Sequence, residues 1–147
     1  MTCSWRSHVQ RCSSGTSDDD VEHLEGWYLD TGATNHMTCR VEVFSELDRS
    51  VVGSVKFGDG SVVSIQGCGS VVFSDKLGAH KVLTGVYYIP RLRNSIVSLG
   101  QLDENGAAIY LKHGILCIWD RQERLLAMVQ RGRNRLYVVH FNLTRLV

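Results

Sequence analysis

The sequence has a single proline, Pro90, no Cys-x-x-Cys pair, no surplus of charge of either sign and no long apolar run. Each scarcity excludes something. Lys and Arg total 16 against 15 Asp and Glu, a formal charge of +1, so the chain as a whole carries no long-range field for nucleic acid or an anionic membrane. Its five cysteines, Cys3, Cys12, Cys39, Cys68 and Cys117, are odd in number and irregularly spaced. Neither a disulfide framework nor a zinc site is indicated, and a reducing cytosol fits better than secretion. The opening "MTCSWRSHVQ" lacks the apolar stretch of a signal peptide, and no run reaches the length of a membrane span. The expectation is a soluble, intracellular protein.

What is present suits one globular domain: 147 residues, 44% of them hydrophobic. Residues 1–25, with the acidic cluster "SDDDVEHLE", are polar and without sustained periodicity, and are expected to form a disordered tail. From Gly26 onward, short apolar or alternating runs rich in Val, Ile and Tyr are separated by Gly, Asn and Asp. "WYLD", "SVKFGDGSVVSIQGCGSVVFSD", "HKVLTGVYYI", "AAIYL", "GILCIWD", "RLLAMVQ" and "RLYVVHF" read as strands, and so many short strands predict a closed or nearly closed β-barrel or sandwich. Gly58-Asp59-Gly60 between two β-prone arms is the strongest hairpin signal. One segment reads as helix, "NSIVSLGQLDENG", with Asn94 or Ser95 as N-cap, apolar Ile96, Val97, Leu99 and Leu102, and a stop at Asn105-Gly106. Pro90 ends the strand before it.

The most pointed feature is Asp30, where the apolar strand "WYLD" breaks into Thr31-Gly32. A carboxylate there lies on a tight turn close to buried surface. Taken alone it fits an ordinary Asx-turn. The context adds weight, because small residues Ala33 and Thr34 follow, then a glycine-flanked hairpin, then a Pro-x-x-x-Asn-Ser-aliphatic-aliphatic segment.

In these stretches the chain resembles the protease region of copia-type retrotransposon polyproteins, within the retroviral-type aspartic proteases. The resemblance is carried by "WYLDTGATNHMT" (Trp27 to Thr38), "VKFGDGSVVSIQGCGSV" (Val55 to Val71), "VLTGVYYIPRLRNSIVSLGQLDENG" (Val82 to Gly106) and "GRNRLYVV" (Gly132 to Val139). It implies an all-β fold, a small closed barrel over residues 26–143 with one short helix and a C-terminal end at 144–147. It also implies an aspartic endopeptidase that cuts its own Gag-Pol polyprotein in the cytoplasm, within the element's particle, without cofactor or metal. With one Asp-Thr-Gly per chain, the implied enzyme is a homodimer. Asp30 would be the catalytic carboxylate, Thr31 would hydrogen-bond across the dimer axis, and Gly32 would let the backbone approach the catalytic pair. Gly58, Asp59 and Gly60 would form the flap over substrate. Ile96 and Val97 resemble the apolar pair beneath the catalytic loop, but Ser98 stands where a glycine is usual.

The resemblance departs from the retroviral-type pattern at the start of the domain too, where strands are replaced by the polar tail. The barrel is therefore expected to be completed from the C-terminal half, by Ala107 to Leu111, Gly114 to Asp120, Leu125 to Gln130 and Leu136 to Phe141. His36 and Cys39 near Asp30 could suggest a metal or a Cys-His nucleophile, but their spacing matches no ligand pattern. Arg131, Arg133 and Arg135 alternate, which on a strand would align them on one face able to touch RNA phosphates, though a solvated face is the simpler reading. No zinc knuckle, polymerase motif or integrase carboxylate cluster is present, so nucleic-acid chemistry is not indicated. The alternative to the protease is a catalytically inactive β-barrel remnant or interaction module of the same kind of element.

Overall fold

A computed structural model of the protein describes residues 26–74 and 78–143; the expected tail at 1–25 and the C-terminal end at 144–147 lie outside the described residues. The strands are β1 Gly26–Asp30, β2 Met37–Thr38, β3 Phe44–Asp48, β4 Gly53–Lys56, β5 Val62–Ile65, β6 Cys68–Ser74, β7 His80–Tyr88, β8 Ser95–Ser98, β9 Ala108–Lys112, β10 Ile115–Trp119, β11 Leu125–Gln130, β12 Val138–His140 and β13 Asn142–Leu143. A six-residue helix, α1, spans Leu99–Glu104, and one 3-10 turn covers Val41–Val43. The fold is all-β with one short α-helix, as the sequence predicts.

An eight-stranded sheet runs β12-β1-β8-β2-β7-β6-β13, with β3 paired to β6 beside this path. Next to its β12 edge β1 and β8 are parallel, Trp27 opposite Ser95 and Asp30 opposite Ser98. All four residues of β8, "SIVS", are buried. A strand covered on both faces is apolar without alternation, which is also how a buried helical segment reads. That ambiguity explains a correction. Ile96 and Val97 belong to β8, not to the helix, and the N-cap is Ser98 in place of Asn94 or Ser95; the stop at Asn105-Gly106 stands.

Ile96 and Val97 point to opposite faces and join two hydrophobic clusters. Val97 packs with Trp27, Leu29 and Val86 in the larger one, which the sheet β9-β10-β11 covers with Leu116, Ile118, Ala127 and Val129. Strands β10 and β11 show the one-sided alternation of a half-buried sheet. Lys81 of β7 reaches Asp120, just after β10, at 3.2 Å and ties the two sheets at their rim. Ile96 packs with Met37, Val63, Ile65, Ile89 and Leu92 in the smaller cluster.

The expected barrel is not closed by pairing: among the described residues no hydrogen-bonded ladder closes the large sheet. Its two ends are nonetheless consecutive in the chain, since β12 and β13 are separated by Phe141 alone. A single residue spans only about 7 Å between its neighbours' Cα atoms, so the sheet must curl until its edges meet. The Phe141 ring fills the junction, with centroids 5.7 Å from Trp27 and 4.6 Å from Phe73. The C-terminal half does complete the sheet, β12 on β1 and β13 on β6, whereas β9 to β11 form a sheet of their own.

Candidate functional site

Burial of Trp27 and Leu29 draws β1 into the core and carries Asp30 with it. Asp30 is only 8% exposed, while Thr31 and Gly32 are open to solvent in the single chain. Asp30 Oδ1 accepts the Gly32 amide at 2.7 Å, the bond of an Asx-turn. One carboxylate oxygen is thus oriented by its own turn.

The segment from Thr31 to His36 is held from outside. Ser98 Oγ donates to the Ala33 carbonyl at 2.7 Å and accepts the Gln101 amide at 3.1 Å, capping α1. The serine found in place of a glycine therefore fits the crossing and bonds on both sides of it. His36, fully buried, accepts the Ser98 amide on Nδ1 at 2.9 Å, and its own amide donates to Gln101 Oε1 at 2.9 Å. Burial pulls the imidazole from 6.5 down to about 4, so His36 is neutral at physiological pH. Among the described residues His36 Nε2 has no hydrogen-bond partner. Two residues beyond His36, Thr38 Oγ1 and Ser95 Oγ pair at 2.7 Å in the interior.

The Gly58 to Gly60 hairpin forms as the sequence predicts. Gly60 sits at φ 87°, Phe57 N donates to Ser61 O at 2.9 Å, and Asp59 Oδ1 accepts both the amide and the hydroxyl of Ser61. Among the described residues its arms, β4 and β5, pair only with each other, and its tip is exposed. The root is not free: Val63 and Ile65 are core residues of the smaller cluster, against which Val55, Phe57 and Ala33 also pack. The base of the hairpin and the loop after Asp30 thus share one apolar seat.

Other sequence candidates separate from this site. His36 spends Nδ1 on Ser98, and Cys68 and Cys117 are free thiols. Among the described residues no group of three His, Cys, Asp or Glu side chains is placed to hold a metal. Arg133 and Arg135 lie in a turn, with Arg135 at φ 64°, so the three arginines do not share a strand face. Among the described residues no helix is long and apolar enough to cross a membrane.

The roles of His36, Ser98 and Gln101 escape the sequence reading. One signal was available, because Ser98-Leu99-Gly100-Gln101 has the Ser-x-x-Gln spacing of a capping box and marks Ser98 as the helix start. His36 had no such signature.

Residues 27–107 match the family described as Pol polyprotein, beta-barrel domain. The chain is also 31% identical over 97 residues to a protein of Nicotiana tabacum, the retrovirus-related Pol polyprotein from transposon TNT 1-94, an alignment that takes in 63% of this chain and 7% of that protein. No solved structure matches. The family match takes in β1 to β8 and α1, with the Asp30 turn and the hairpin, and stops before β9.

Proposed function

Because the chain belongs to the Pol polyprotein β-barrel domain family, we propose that it is the aspartic endopeptidase segment of a retrotransposon Pol polyprotein, working as a homodimer on its own Gag-Pol polyprotein. The chain spans only 7% of the tobacco relative, so substrate and partners are part of the proposal. The observation that carries it is the placement of Asp30: a nearly buried carboxylate at the end of a core strand, followed by an exposed Thr31-Gly32. Two copies meeting at that turn would bring two carboxylates together around a water molecule, an isologous contact of the kind a twofold axis generates.

The chemistry needs both. Two adjacent carboxylates do not ionise together, so one stays protonated. The ionised member takes a proton from water as its oxygen attacks the peptide carbonyl carbon, while the protonated member donates to the carbonyl oxygen. The tetrahedral adduct then collapses with cleavage of the C–N bond: the leaving nitrogen takes the proton that the first carboxylate gained, and a hydroxyl of the adduct returns a proton to the second carboxylate, restoring the pair. Thr31 would bond across the axis, Gly32 would admit the close approach, and Gly58, Asp59 and Gly60 would close over the peptide. The setting would be the cytoplasm, inside the element's particle.

The competing reading is a non-catalytic barrel kept for interaction or left as a remnant. The Asp30 to Gly32 bond favours it to the extent that an ordinary Asx-turn makes the same bond. Cleavage of polyprotein-derived peptides by the purified chain, across protein concentration and beside Asp30→Asn, separates the two. The protease gives a rate that rises faster than linearly with enzyme and vanishes in the variant. Full activity in Asp30→Asn, or none in a folded dimer, removes it.

A further inference from the structure

The segment between Asp30 and β2 is fixed at Ala33 and His36 by residues that do not belong to it. Ser98 closes β8 directly opposite Asp30, and Gln101 lies in the first turn of α1. In a capping box the serine accepts the amide three residues on, and the glutamine side chain returns to the serine amide. The first bond is made here, Gln101 N to Ser98 Oγ at 3.1 Å. The return bond is not. His36 Nδ1 takes the Ser98 amide instead, at 2.9 Å, and the Gln101 carboxamide is released. Its Oε1 accepts the His36 amide at 2.9 Å, and its Nε2 donates to the Thr84 carbonyl of β7 at 3.0 Å. A Cβ on Gly85, at φ +66°, would lie 2.6 Å from that Nε2, so the amide is pressed against β7.

We propose that His36 and Gln101 are positioning residues for Asp30: by exchanging partners across the cap of α1 they tie the segment after the carboxylate to β8, α1 and β7 at once. The place of Asp30 is then set by three elements of the fold and not by a loop with an exposed turn. Sites held only by loops are less sharply placed than sites held by strands and helices, and an ångström of misplacement costs about a hundredfold in rate. The importance of this to catalysis rests on Asp30 being the catalytic carboxylate; the positioning itself does not.

The experiment reads both. Solvent exchange of the Gly32 amide, whose acceptor is Asp30 Oδ1, is measured by NMR at pH 7 in the wild type, His36→Leu, His36→Asn and Gln101→Ala. The Ile118 amide in β10 monitors global opening, and kcat and KM are measured on a cleaved peptide. Asn places an amide oxygen where the imidazole has Nδ1, so it keeps an acceptor for Ser98. Expected are Gly32 exchange faster by about tenfold or more in His36→Leu and Gln101→Ala with Ile118 still protected, a fall in kcat with KM little changed, and recovery of most of both in His36→Asn. Gln101→Ala carries the test if His36→Leu does not fold. Gly32 exchange within about twofold of wild type in the folded variants, or no recovery in His36→Asn, overturns the proposal. Wild-type protein that cleaves nothing, with exchange following the expected order, overturns the catalytic reading and leaves the positioning intact.

Discussion

Acid should loosen this fold through His36 before its carboxylates are fully protonated. The imidazole is fully buried, Nδ1 already accepts the Ser98 amide, and Nε2 has no partner among the described residues. Imidazolium would have to carry a proton on Nδ1, facing another donor. The folded group therefore titrates at about 4, against 6.5 when free, and burial is the cause. The sign follows from proton uptake. Above pH 6.5 neither state binds the proton and stability is complete; between 6.5 and about 4 only the unfolded chain binds it, so stability falls with pH and levels off below. At about 1.4 kcal/mol per pH unit, the loss amounts to about 3 kcal/mol, a large share of the stability of a small domain. Denaturant midpoints of wild type and His36→Asn at pH 7, 6, 5 and 4.5 isolate the effect, since other groups contribute alike to both. The wild type should lose about 1 kcal/mol more per pH unit than the variant below pH 6.5. Equal slopes would refute the reasoning. A protease built on this scaffold would then work from mildly acidic to neutral pH and fail below.

Ser98→Ala removes both the cap of α1 and the bond to Ala33; a loss of about 1–2 kcal/mol is expected in a urea titration, and no loss would mean that the crossing is held by packing alone. Gly69→Ala would place a Cβ 1.9 Å from the Glu46 carbonyl oxygen, where β3 and β6 lose register. Backbone against backbone leaves no cheap escape, so roughly 3 kcal/mol or more of destabilisation is expected from the shift in denaturant midpoint. Asp59→Ala deletes two bonds at an exposed turn and should cost about 1 kcal/mol or less. If the hairpin closes over substrate, the same variant lowers kcat/KM well beyond what its thermal melt explains; matched losses would leave the hairpin as plain structure.

The amino-acid sequence by itself determined the local features: the β-rich runs from Gly26 onward, the turn at Gly58 to Gly60, the helix stop at Asn105-Gly106, and an aspartate at the end of an apolar strand. These are written in alternation and in the special backbone demands of a few residues, which act over a handful of positions. Tertiary structure decided the rest. Ile96 and Val97 are a strand because the parallel partner β1 and two apolar clusters await them, a choice their own four residues do not contain. The curl of the sheet follows from β12 and β13 landing on opposite ends of it. His36, without a ligand-spaced neighbour in the sequence yet open to a metal reading, became a buried acceptor because the Ser98 amide needed one and Gln101 was bonded elsewhere. Partner choice of that kind is settled by satisfying buried polar groups across the whole fold, and no short stretch of chain encodes it.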